Sequence, residues 1–199
     1  DYSQAIGDRG DISQDYIEKV FGESERNNYK TVFRSSQQIT DFCAAIAASG
    51  ALMFQSNYRN PYDAPASGFT SQEETWCSTP ELHMYRDDDT MMCSLKQHIE
   101  KCKKDLQCKS SEIAIISFED SLLYPEKIEA LSQNINSEFL VLKDRETVNV
   151  RYSNGKNDPI VLSSPYNVNG LEFKCVILVG VDEGRVPKNV GVTDISANY

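Results

Sequence analysis

The residues best suited to chemistry in this sequence lie in a polar segment that leads into an apolar strand. The segment "SSPYNVNGLEF" (163–173) places hydroxyl, amide and carboxylate groups directly before "KCVILVGV" (174–181). In parallel α/β sheets, ligands bind at the carboxyl ends of strands, where such loops meet helix N-termini. Composition alone favours a simpler interpretation, in which Asn169 and Gly170 form an ordinary turn and Glu172 is a solvated residue.

A second group of candidate residues lies in "YKTVFRSSQQITDFCAAI" (29–46). Phosphoryl transfer depends on positive charge and hydrogen-bond donors placed around the γ-phosphate, and Arg34 at the start of a predicted helix suits that task. The residues alone do not decide whether the neighbouring Phe33 stacks on a ligand or is a core aromatic beside Ile39.

The cysteine and histidine residues show no metal-binding pattern. His83 and His98 lack zinc-type spacing, and no pair of cysteines forms Cys-x-x-Cys, so we expect no metal site and reduced thiols. The cysteines are irregularly spaced, at Cys43, Cys77, Cys93, Cys102, Cys108 and Cys175.

Charge and hydropathy limit the classes of partner. Thirty acidic and 20 basic residues give a net charge of -10, which opposes tight electrostatic wrapping of nucleic acid but leaves room for a local basic path or a basic neighbouring domain. No stretch approaches the roughly 18 consecutive apolar residues of a membrane span, and the N-terminus lacks a signal-peptide pattern. We therefore expect no membrane partner and a cytoplasmic location.

The segments that position these residues follow an α/β rhythm. Helical spacing predicts an amphipathic helix over 35–53, with Ser35 or Ser36 as N-cap and Gly50 near its end. Its apolar face consists of Ile39, Phe42, Cys43 and Ile46. A long irregular connection is expected at about 55–81, because it holds three prolines and many polar residues.

Later segments alternate helix and strand. Further helices are predicted over 92–106 and 125–135, and four strands over 112–118, 139–142, 159–164 and 174–181. Uninterrupted apolar strands are typical of a mostly parallel sheet covered by helices on both faces. The helix over 92–106 presents one apolar face, made of Met92, Leu95, Ile99, Cys102 and Leu106.

Three segments together resemble the UvrD/Rep/PcrA-type superfamily 1 DNA helicases. "NGLEFKCVILVGVDEGRVP" resembles motif V, and the segment around Arg34 resembles motif IV. "DYSQAIGDRGD" (1–11) is similar to motif III, with Gln4 in the glutamine position. A register with Gln14 in that position also fits, but it leaves too little chain before motif IV. The order and spacing imply one RecA-like, P-loop NTPase-type motor domain over 1–199, the second (2A) domain of such a helicase.

The resemblance implies roles for individual residues. Arg34 would reach the γ-phosphate of ATP, and Phe33 would stack on adenine. Gln4 would sense the γ-phosphate or the attacking water. Glu172 would accept hydrogen bonds from the nucleotide sugar, and Gly170 would let the backbone approach the nucleotide closely.

The implied track for single-stranded DNA is less complete. Ser164, Tyr166 and Asn169 stand where motif V normally has Thr, His and Lys, and Arg9 remains from motif III without its stacking aromatic. A serine hydroxyl can still bond a phosphate, but the lost Lys and His weaken the expected DNA contacts. ATP-coupled work is therefore expected to survive better than strand separation.

The sequence contains no Gly-x-x-x-x-Gly-Lys-Ser/Thr loop and ends before an arginine-bearing motif VI. The resemblance thus implies a fragment that does not hydrolyse ATP alone, with ATP and Mg²⁺ held mainly by an N-terminal RecA-like domain of the same protein. In the full-length protein it would serve an ATP-dependent DNA helicase of 3′ to 5′ polarity. The alternatives are a helicase-like regulatory or protein-interaction domain that has lost unwinding, and an unrelated α/β domain that matches by chance.

Overall fold

The computed structural model describes five stretches of the chain: residues 19–20, 31–53, 65–143, 158–168 and 170–182. The chain divides into two compact units. The first comprises Asp1–Leu82 with Val190–Tyr199, and the second comprises His83–Asn189. The expectation of one motor domain over 1–199 stays a prediction, and each unit is described by itself.

Between residues 31 and 74, the described part of the first unit contains a pair of short parallel strands and two helices. Strand β1 (Thr31–Val32) pairs with β2 (Ala66–Ser67), and each strand precedes a helix, α1 (Gln37–Met53) and α2 (Ser71–Glu74) respectively. Part of the predicted irregular connection therefore has regular structure. Its residues 55–64 lie outside the described residues.

The beginning and the end of helix α1 agree with the sequence. The Ser36 hydroxyl accepts a hydrogen bond from the Ile39 backbone N–H at 3.4 Å, which confirms Ser36 as the N-cap. The helix continues through Gly50 and ends at Met53, so Gly50 lies near its end as predicted. A glycine inside a helix costs only about 1 kcal/mol and does not by itself end it.

The apolar face of α1 is not part of the core. Ile39 is 39% exposed, Phe42 51% and Ile46 54%, whereas Thr40 is 4% exposed. The predicted helix is confirmed, and its apolar face is largely exposed in the part of the chain that the structure describes. Helical periodicity identifies residues that share a face and cannot identify what packs against it.

The second unit contains two longer helices whose ends carry clear signals. Helix α3 (Asp88–Asp105) begins after Asp87, whose carboxylate accepts a hydrogen bond from the Thr90 backbone N–H at 2.8 Å. Helix α4 (Pro125–Ile135) starts with a proline at its first position and ends before Asn136, which has a left-handed φ of 53°. The bounds of α4 are those predicted.

The second unit is built on a parallel sheet. Its strands are β3 (Ile113–Ser117), β4 (Phe139–Leu142), β5 (Ile160–Ser163) and β6 (Cys175–Val179), in the spatial order β4-β5-β3-β6. Every pairing is parallel. The predicted α/β class, with helices flanking a parallel sheet, is confirmed. The arrangement is compatible with a RecA-like domain without being specific to that fold.

Alternate residues of β3, β4 and β5 enter two core clusters. Ile113 and Ile115 belong to the larger cluster, together with buried residues of α3 and α4. Ala114 and Ile116 belong to the smaller cluster, which packs against side chains of the β5–β6 loop. The larger cluster consists of Leu95, Ile99, Cys108, Ile113, Ile115, Leu122, Leu131, Ile135, Ile160, Leu162 and Val179.

Strand β6 departs from the predicted burial. Val176 is 52% exposed and Leu178 54%, while Val179 is 6% exposed. Strand β6 lies at one edge of the described sheet, next to β3 alone. The expectation that this strand is covered on both faces is therefore wrong at Val176 and Leu178.

Candidate functional site

The first candidate element is the loop between β1 and α1, which carries Phe33 and Arg34. The Phe33 side chain is 74% exposed, although its ring lies against the backbone of Gly68. A methyl group added at Gly68 would stand 2.4 Å from Cδ1 of the ring, so the contact requires glycine there. The ring therefore rests against the Gly68 backbone, and the rest of its surface is accessible. This arrangement is suitable for stacking on a planar ligand.

Hydrogen bonds from the β2–α2 region hold this loop. The Ser67 hydroxyl donates to the Ser35 carbonyl at 2.9 Å, and the Ser67 N–H donates to Oε1 of Gln37 at 2.7 Å. The Gln37 N–H in turn donates to Oε1 of Glu74 at 2.8 Å. The Glu74 carboxylate thus already binds one of the first backbone N–H groups of α1. The N-terminus of a helix favours such negative charge.

This arrangement affects how a phosphate would bind near α1. A phosphate would compete with Glu74 for the Gln37 N–H, and the two negative groups would repel each other. Arg34, which is exposed, carries the compensating positive charge at this loop. Any phosphate affinity here must therefore come mainly from Arg34.

The second candidate element is the start of the β5–β6 loop, at the carboxyl edge of the sheet. The Ser163 hydroxyl donates to the Leu142 carbonyl at 3.0 Å, and Nδ2 of Asn167 donates to the same carbonyl at 3.2 Å. Nδ2 of Asn167 also lies 3.4 Å from the Ser164 hydroxyl oxygen, which accepts from it. Ser164 is 9% exposed, so its hydroxyl primarily organises this turn.

The rest of the same loop alternates between partly buried and exposed residues. Leu171 and Phe173 pack against the smaller core cluster, while Glu172 between them is exposed. Gly170 has a φ of +85° in open space, a conformation that L side chains rarely adopt. Tyr166, also in this loop, is 50% exposed. The loop therefore presents a carboxylate and a phenol to solvent from an anchored backbone.

The predicted site residues fall into three groups. Phe33 and Arg34 are neighbours in the first unit, whereas the described candidates of the second unit share the β5–β6 loop. Gln4, Arg9 and Asn169 lie outside the described residues, and their roles stay predictions. The second-unit candidates are Ser164, Tyr166, Gly170 and Glu172.

Several residues that shape the site were not predicted from the sequence. Glu74 and Gly68 contact the region around the β1–α1 loop, more than 30 residues earlier in the chain. Asn167 acts on a carbonyl 25 residues away. Asn167 follows the end of a predicted strand, which could have marked it as a turn residue, but no sequence signal indicates its partner.

Metal and membrane features were also searched in the part of the chain that the structure describes. Within the ranges given above, no group of three or more His, Cys, Asp or Glu side chains could hold a metal ion. None of the helices in those ranges combines the length and the apolar character that crossing a bilayer requires.

Comparisons of the chain with protein-family models, with curated proteins and with solved structures return no match.

Proposed function

We propose that this chain contributes the second RecA-like motor domain of a UvrD-like superfamily 1 helicase, an ATP-dependent translocase on single-stranded DNA. The proposal rests on the three motif-like segments, and the parallel α/β sheet of the second unit is compatible with it. The observation that carries it is the exposure of Phe33 beside Arg34, at the position where motif IV would contact ATP.

The exposure of Phe33 supports the interpretation as a stacking residue over the interpretation as a core residue. A core aromatic beside Ile39 would be buried, because hiding a Phe side chain from water contributes about 1.5–3 kcal/mol. Phe33 is 74% exposed, and Ile39 is itself 39% exposed. A ring supported by Gly68 and otherwise accessible fits a stacking platform for adenine better than a core position.

Arg34 is proposed to act on the γ-phosphate of ATP bound to a partner motor domain of the same protein. Transition-state charge in phosphoryl transfer is spread over the equatorial oxygens, and a guanidinium stabilises it without covalent chemistry. Gln4 would complete this arrangement by sensing the γ-phosphate. The P-loop domain would hold ATP and Mg²⁺, so the present chain alone is not expected to hydrolyse ATP.

Glu172 is proposed to accept hydrogen bonds from the nucleotide sugar. Its side chain is exposed, while the flanking Leu171 and Phe173 anchor the backbone in the smaller core cluster. An exposed carboxylate on an anchored loop can accept two hydroxyl hydrogen bonds with little reorganisation. Gly170 supports this geometry through its positive φ.

The DNA-binding part of the proposal has less structural support. The Ser164 hydroxyl already accepts a hydrogen bond from Asn167, and Ser164 is 9% exposed. The hydroxyl keeps its own proton, which could be donated to a phosphate oxygen. Tyr166, Asn169 and Arg9 would provide the other contacts with DNA. A cytoplasmic location is proposed together with this function.

A second candidate function is a helicase-like regulatory or protein-interaction domain. The observation that favours it is the exposed apolar face of α1, with Ile39, Phe42 and Ile46 between 39% and 54% exposed. Exposed apolar groups that lie together are typical of surfaces that bind other proteins.

Hydrolysis of ATP by the full-length protein, measured with and without single-stranded DNA, separates the two candidates. A motor on DNA predicts that DNA stimulates turnover several-fold. Turnover that is insensitive to DNA would support the interaction domain. Absence of turnover under both conditions would contradict the motor assignment.

A further inference from the structure

Two thiols of the second unit are in contact beside the larger core cluster. Sγ of Cys102, near the end of α3, lies 2.8 Å from Sγ of Cys175, the first residue of β6. The two residues are 73 positions apart in sequence and both are half-buried. Each packs against the larger core cluster, so the pair links the helix layer to the sheet.

The surroundings of the pair favour thiol chemistry over metal binding. Cys108 is buried in the same cluster, yet no three potential metal ligands among the described residues are arranged around a common point. Cys43 and Cys93 are exposed, and Cys77 belongs to the first unit, so none of these three competes with the contact between the two facing sulfurs.

We propose that Cys102 and Cys175 form a reversible disulfide that joins the end of α3 to the start of β6. The co-reactant is a low-molecular-weight disulfide, such as oxidised glutathione. The pairing depends on the second unit alone and does not rest on the proposed helicase function.

The reaction proceeds by two thiol–disulfide exchanges. The thiolate of one of the two cysteines attacks one sulfur of the small disulfide, forms a mixed disulfide and releases one small thiol after protonation. The other cysteine then gives up its proton and attacks the sulfur of the first cysteine, which releases the second small thiol. The two cysteines together lose two electrons and two protons, and the small disulfide gains both.

Either sulfur can donate in the 2.8 Å contact, so either cysteine can act as the first nucleophile. The hydrogen bond to Cys102, and then burial, raise the pKa of the Cys175 thiol above its ordinary value. Exchange at this pair therefore starts from the small fraction of molecules in which one of the two thiols has lost its proton.

The disulfide would act on the loop that carries the candidate site. Glu172 lies three residues before Cys175, so a covalent link at residue 175 limits motion of the loop's final part. It would also close a long chain segment between α3 and β6, which restricts the unfolded state and stabilises the fold.

The test is oxidation of the purified full chain with excess oxidised glutathione, followed by intact-mass and non-reducing peptide mass spectrometry. We expect a loss of two hydrogen atoms and a cross-link between the tryptic peptides 102–103 and 175–185. The melting temperature is expected to rise by about 5 °C or more, because the closed segment is long, and dithiothreitol should reverse both changes.

Matched variants identify the sulfurs. Cys102→Ser and Cys175→Ser should abolish the internal cross-link, whereas Cys93→Ser, on the same helix, should retain it. Circular dichroism establishes that each variant folds, and Cys175→Ala replaces Cys175→Ser if the latter does not. A cross-link through Cys108, a cross-link only between two chains, or only glutathione adducts without an internal link would overturn the proposal.

Discussion

The ring of Phe33 lies so close to Gly68 that a Cβ at residue 68 would stand 2.4 Å from Cδ1 and 2.6 Å from Cε1. Gly68 has no positive φ, and the three atoms nearest to a Cβ placed there all belong to the ring. The same contact supports the exposed aromatic on which the proposed stacking depends.

Gly68→Ala should therefore destabilise the protein only while the ring is present. We expect a cost of about 1 kcal/mol, since the exposed ring can rotate away from the methyl group. In a Phe33→Ala background the same change should be neutral or stabilising by about 0.5 kcal/mol, because alanine restricts the unfolded chain. Urea unfolding of the four proteins measures this coupling, and an equal cost in both backgrounds would contradict the contact.

Gly170→Ala should be destabilising for a different reason. No atom lies within 4 Å of a Cβ built at Gly170, so the expected cost of about 1–2 kcal/mol comes only from its φ of +85°. Gly170→Asn should cost less, because asparagine tolerates left-handed conformations better than alanine. Chemical denaturation of both variants tests this, and equal losses would show that backbone conformation is not the cause.

Ser163 and Asn167 donate to the same Leu142 carbonyl, and Leu142 is fully buried. Ser163→Ala and Asn167→Ala should each lower the free energy of unfolding by about 1 kcal/mol. The double variant should lose more than the sum, because a buried carbonyl would then lack both donors. Denaturation of the singles and the double provides the comparison. Ser78→Ala, at an exposed serine, is the control and should change stability by less than about 0.5 kcal/mol.

Asp158 ties the starts of β3 and β5 together, because its carboxylate accepts the backbone N–H groups of Ser110 and Ser111 at 2.8 and 2.9 Å. Burial by itself raises the pKa of Asp158. The hydrogen bonds from Ser111 and Ser110 together lower this pKa by more than burial raises it, so the net pKa lies below the ordinary 3.8. The stabilisation is therefore complete above the unfolded-state pKa and is lost as the pH falls through the lower folded-state pKa.

Asp158→Asn should consequently be less stable than the wild type by about 1 kcal/mol at pH 7, a value reduced for the exposure of this carboxylate. The difference should shrink at pH 3 and below. Urea unfolding at several pH values measures it, with Glu100→Gln on the exposed side of α3 as the control. A difference that stays constant or grows in acid would contradict the assignment.

The sequence predicts the second unit well and the contacts of the candidate site poorly. Helix α4 and strand β4 were predicted at their observed bounds, because Pro125 and the apolar run "FLVL" are local signals. The exposure of Ile46 and Leu178 was not predicted, since the periodicity of apolar residues does not show whether another element packs against them. The roles of Glu74 and Asp158 depend on hydrogen bonds across 37 to 48 residues, which only the folded chain brings together.

The most direct test of the proposed function is single-turnover ATP hydrolysis by the full-length protein with single-stranded DNA, comparing wild type, Arg34→Ala and Arg34→Lys. Gln38→Ala, an exposed residue in the first turn of α1, serves as the matched control. If Arg34 stabilises charge at the γ-phosphate, Arg34→Ala should slow hydrolysis by about 10³-fold or more, Arg34→Lys should recover only part of the loss, and Gln38→Ala should resemble the wild type. Equal rates in wild type and Arg34→Ala would contradict the assignment of this chain as a helicase motor domain.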